Sequence, residues 1–109
     1  AARRGGSAAS PQPMPDRLVL RADVQAAVAL RRVGDQLEPE TGWALPHTPP
    51  IARLGRVLLL PIGSAFQTPT AVTDGIAQAG QHPALFSLGS AAVRAAVHEL
   101  WQRGYLQQA

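Results

Sequence analysis

The chain has no cysteine in its 109 residues, which excludes disulfides, thiolate zinc sites and cysteine nucleophiles. It has no lysine either: all ten basic residues are Arg, against seven acids, for a formal net charge of +3. An Arg-only, Ala-rich composition is what a GC-rich genome yields. It also suits a surface that grips phosphate or carboxylate with a planar fork. A charge of this size permits weak attraction to anionic partners without demanding a nucleic-acid footprint. Long apolar runs are missing too. The best candidate, VLLLPIGSAF at 57–66, is about half of a membrane span and contains Pro61 and Gly63.

What is present bounds the architecture. A chain of 109 residues buries roughly 65% of its unfolded surface, enough for one modest core. Hydrophobic residues at 46% and charged ones at 16% exclude a fully disordered chain, while 10 Pro and 10 Gly keep much of the backbone out of regular structure. The expectation is a mainly α protein: a small bundle of three to four short helices, with an extended basic arm over 1–15 and one small helical domain over 16–109, interrupted by an irregular Pro-rich connection at 38–50. The start, AARRGGSAAS, is Arg-rich and free of acids, the composition of an organellar presequence. It points to a mitochondrial or other organellar location.

Spacing assigns the elements. Val19, Ala22, Ala26, Leu30, Val33 and Leu37 follow one another at steps of three and four, a single stripe on a helix starting at Asp16 and stopped by Pro39. EPETGWALPHTPP reads as a loop that lies on the domain or on a neighbour, because Trp43 and Leu45 are too apolar for solvent. RVLLLPI is β-like in composition but lacks a partner strand in this reading, so helix is the better assignment. PTAVTDGIAQAG at 69–80 is a helix with Ala71, Val72, Ile76 and Ala79 inward, and HPALFSLG a further turn. The last helix is capped by Ser90, buries Val93, Ala96, Val97, Leu100 and Trp101, and stops at Gly104, with Tyr105 and Leu106 folding back.

Two stretches resemble known families. LRRVGDQL, 30–37, with Ala26 one turn upstream, resembles the death-motif helix of apoptosis regulators; the resemblance implies an amphipathic helix laid in a partner's groove, with Asp35 pairing a groove Arg. The alternative is an ordinary packing helix. LFSLGSAAVRAAVHELWQRGYL, 85–106, looks like the second and third helices of a winged-helix DNA-binding domain. That resemblance implies that Arg94, His98, Gln102 and Arg103 face the major groove and phosphates, although the chain ends too soon after Leu106 for a wing hairpin.

Catalysis has no constellation to use. His47, His82 and His98 sit in separate segments, the acids are scattered, and Glu38 and Glu40 read as a solvated pair. No serine has a nucleophile-elbow context and no glycine run cradles phosphate. No cofactor or metal is expected. The sequence therefore predicts a non-catalytic structural or accessory subunit of a large protein or ribonucleoprotein assembly, bridging its neighbours. The expected contacts are Arg3, Arg4, Arg31, Arg32, Trp43, Arg94 and Arg103, toward other protein subunits and through the Arg residues toward RNA or DNA. The second reading is a DNA-binding module using helix 90–103.

Overall fold

A computed structural model describes residues 13–109. In these the helix expected from Asp16 to Leu37 is absent, and strands β1 (Arg17–Leu20), β2 (Gln25–Val33) and the start of β3 (Gln36–Ala44) take its place. Together with four short strands and four helices they make a mixed α/β fold, 33% helix and 33% strand. This overturns the mainly α expectation.

The reason lies at Gly34-Asp35. These two residues are the entire connection between β2 and β3, and Gly34 has φ +63°, which glycine adopts without steric cost. A two-residue loop with positive φ at its first position matches the twist of the flanking strands and closes a hairpin. The register then runs from Val33 opposite Gln36 back to Gln25 opposite Ala44. Pro39, expected to stop a helix, stands inside β3 opposite Leu30. Trp43 exchanges both backbone bonds with Ile51 on the far side of β3, at 2.9 Å each. Alternation therefore points the nitrogen of Pro39 the same way, to the outer edge, where its missing N–H removes no ladder bond.

The irregular connection assigned to 38–50 is thus strand as far as Ala44. Two further strands, β4 (Arg53–Leu54) and β5 (Val57–Leu58), form a second hairpin, so RVLLLPI finds its strand partner within the chain after all. Helix α1 (Leu60–Ala65) starts immediately afterwards. Pro61 lies in its first turn, where a backbone N–H would have no intrahelical acceptor.

The C-terminal half follows its periodicity. Strand β6 (Thr70–Ala71) leads into α2 (Val72–Gly80), which buries Val72, Ile76 and Ala79. After the single turn α3 (Pro83–Phe86) comes α4 (Ser90–Gln102), which buries Val93, Ala96, Val97 and Leu100. The cap residue is Gly89, one position before the expected Ser90, and Trp101 is only half-buried. Strand β7 (Leu106–Gln108) returns to β1, giving a sheet of order β6-β1-β7, antiparallel throughout. Leu18 at its centre is fully buried, with Leu59, Ile62, Phe66, Leu100 and Leu106 around the same core.

Trp43 anchors the hairpin to this body. It is 4% exposed, and its indole Nε1 donates to the carbonyl of Leu59 at 2.8 Å. Gly63 of α1 lies flat against the indole, leaving no room for a β-carbon. Of the two positions open to this tryptophan in the sequence, on the domain or on a neighbour, it takes the first.

Candidate interaction surface

Beyond Trp43 the β2–β3 hairpin leaves the body. From Leu30 to Pro39 every residue is exposed on both faces, and the molecule measures 52 × 28 × 27 Å. Nine residues of strand extend roughly 30 Å, so the arm accounts for the long dimension.

Residues directly opposite in an antiparallel pair share a face. One face of the arm carries Ala26 and Trp43, Val28 and Thr41, Leu30 and Pro39, then Arg32 and Leu37. The other carries Ala29 and Glu40, Arg31 and Glu38, Val33 and Gln36. The first face is apolar from the core outward. Its root, Trp43, is covered by α1, while Val28 is 58%, Leu30 67% and Leu37 55% exposed. Scattered surface leucines need no explanation, but three large apolar side chains aligned on one face of a projecting arm form a patch.

The second face is polar and tied down at its base. Arg53 of β4 donates from Nε and Nη2 to the two carboxylate oxygens of Glu40, both at 2.7 Å. These hydrogen bonds hold the Glu40 carboxyl below its ordinary value of 4.5; burial opposes the shift, and the charges of Arg53 and Arg31 add to it. The same pairing raises Arg53. Arg31 stands opposite Glu38 and near Glu40, and Arg32, on the apolar face, stands opposite Leu37; neither makes an ion pair among the described residues.

The expected contact residues do not converge on one place. Arg3 and Arg4, and with them most of the basic arm and the presequence-like start, lie outside the described residues. Arg31 and Arg32 are on the arm; Trp43 is in the core. Arg94 is exposed on α4, and Arg103 is paired by its Nε with Glu99 at 2.7 Å, as the i, i+4 spacing suggests. His98 is half-buried against Trp101, ring centroids 5.8 Å apart. The death-motif resemblance of 30–37 does not survive, because those residues are two strands and a turn rather than a helix. Val28, Leu30 and Leu37 as a surface, and the Glu40–Arg53 pair, escaped the sequence reading. The alternation of Ala26, Val28 and Leu30 before Gly-Asp was the available signal.

Among the described residues no group of His, Asp or Glu is placed to hold a metal ion, and no helix is long and apolar enough to cross a membrane. The grooves are shallow; one between β4–β5 and α4 is lined by Leu54, Val57, Ala92, Ala95 and Ala96, with the Glu99–Arg103 pair at its rim. Compared with protein-family models, with curated proteins and with solved structures, the chain matches none.

Proposed function

We propose that this chain is a non-catalytic accessory subunit that joins a larger assembly by docking its β2–β3 arm onto another protein. One observation carries the reading: Val28, Leu30 and Leu37 lie exposed on a single face of an arm whose root is fixed in the core. Burying what remains open of these three side chains would contribute about 3 kcal/mol to association.

The test is a triple substitution, Val28→Thr, Leu30→Thr and Leu37→Thr, which keeps strand-compatible side chains and removes the apolar face. In cells of the source organism the wild-type chain should migrate in a complex on a native gel and the variant as free protein, with unchanged thermal unfolding. Co-migration of the variant with the same complex would refute the reading.

DNA binding through helix 90–103 has one feature in its favour: α4 follows α2 and α3 and exits through Gly104 into strand β7. Charge weighs against it. The described residues hold eight Arg against seven acids, a net of +1, and on α4 only Arg94 is without an acidic partner. A duplex-DNA mobility shift with a steep salt slope would favour this second reading.

A further inference from the structure

The edge of β2 is as informative as its face. Because Trp43 directs its backbone groups away from β2, its partner Ala26 directs its own away from β3, and alternation extends this to Val28, Leu30 and Arg32. The N–H and C=O groups of these four residues have no backbone partner among the described residues. On β3 the corresponding outer edge is closed at its root by Ile51 and interrupted in the middle by Pro39. The hairpin is thus blunted on one side and open on the other. An open edge strand is a template for another strand unless charge, proline or a bulge protects it, and β2 has none of these between Ala26 and Leu30.

Resting on the docking role given above, we propose that the partner is an extended segment of another protein that adds to β2 as an antiparallel strand, with an acidic residue opposite Arg32 and apolar residues opposite Leu30 and Val28. A residue opposite one of these positions shares its face. The added strand would therefore place its own apolar side chains beside Val28 and Leu30, continuing the stripe. Arg32 fixes register and direction: its opposite number on β3 is Leu37, so an incoming carboxylate meets an uncompensated guanidinium. Arg31, on the polar face, already stands opposite Glu38.

Charge and area argue against a second copy of the chain, whose own open strand β2 holds no acidic residue to meet Arg32. One face of a two-stranded arm this long offers roughly 300 Å², well short of the roughly 800 Å² per partner that a stable dimer buries. Main-chain bonding to a peptide does not need that area, because the backbone ladder supplies affinity and the alternate side chains specificity.

The experiment uses the full chain, isotope-labelled, and a soluble peptide of about nine residues. Its acidic residue is followed by valine at the second and fourth positions after it, with Thr between. Amide shifts should appear on Ala26, Val28, Leu30 and Arg32, and binding should weaken at high salt. Arg32→Glu should weaken binding at least tenfold and reverse preference toward a peptide with Lys in place of the acid. Leu30→Pro removes an outward N–H without touching the β2–β3 ladder and should abolish binding, whereas Leu30→Val should retain it. Binding unchanged by Arg32→Glu overturns the proposal whatever happens to the proline variant. Amide shifts produced instead by an amphipathic helical peptide, insensitive to Leu30→Pro, would mean docking by the face: the strand proposal fails and the arm's role stands. Concentration-dependent self-association abolished by Leu30→Pro would assign the edge to a second copy and likewise overturn the proposal. No perturbation of the arm by either peptide, together with native-gel migration unaltered by the triple Thr variant, removes both readings.

Discussion

The junction of arm and body rests on Trp43 against Gly63, and a double-mutant cycle measures it. Trp43→Phe removes the indole N–H that donates to the Leu59 carbonyl at 2.8 Å. That carbonyl also accepts from the Gly63 N–H at 3.0 Å, so it is not orphaned, and the lost bond costs about 1 kcal/mol. The smaller ring gives up on the order of 40 Å² of buried apolar surface, another ~1 kcal/mol. The sum of ~2 kcal/mol should lower the melting temperature by about 10 °C in a domain of this size. Gly63→Ala alone drives a methyl group into the indole at Cε2, Nε1 and Cζ2. Overpacking at roughly 2 kcal/mol outweighs the ~1 kcal/mol gained from helix propensity, leaving a net loss near 1 kcal/mol. A phenyl ring lacks the pyrrole nitrogen and the far carbon, so in the Trp43→Phe background the methyl has space and Gly63→Ala should be neutral or stabilising. The expected coupling is at least 1 kcal/mol. Urea unfolding followed by circular dichroism at 222 nm gives all four stabilities. Additive effects would show that the tryptophan does not pack on α1, and the arm would then have no fixed root.

Two further tests bear on the arm. Gly34→Ala forces a β-carbon into positive φ, where there is open space around it but intrinsic strain of about 1 kcal/mol; faster amide exchange in β2 and β3 with unchanged exchange in α4 is the expected result. Glu40→Gln tests the clamp at the polar face. Because the folded-state carboxyl lies below 4.5, its contribution is present in full above that pH and is lost as pH falls through the lower folded value. The stability gap between wild type and Glu40→Gln, about 1 kcal/mol for a bidentate, partly buried pair, should therefore hold at pH 7 and close toward pH 3. A gap that widened on acidification would contradict the pairing.

The helices were legible where they bury their own stripe. Val72, Ile76 and Ala79 in α2, and Val93, Ala96, Val97 and Leu100 in α4, follow helical spacing because those faces meet the core of the same chain. The N-terminal half was misread for a definite reason. Val19, Ala22, Ala26, Leu30, Val33 and Leu37 fit a helical period only because the strands place apolar residues on both sides of a turn. Leu37 belongs to the face of Leu30, while Val33 points to the opposite one. Gly-Asp between two nine-residue strands carried the hairpin signal, but Pro39 four residues on looked like a helix stop. Only the Trp43–Ile51 bridge explains why a proline is tolerated there.

Periodicity locates a buried face, and the arm does not have one of its own. Its period-two pattern is partial because only one face is apolar and that face is open to solvent, so no core selects a sharp alternation along it. Helices α2 and α4 can be derived from the chain because the chain itself supplies the core against which their stripes pack. The arm exposes Val28, Leu30 and Leu37 and turns a row of backbone groups outward. Such a surface costs solubility and invites mispairing. Its apolar stripe has a physical rationale if a second molecule supplies the missing side, which is why legibility fails at the residues where docking is proposed.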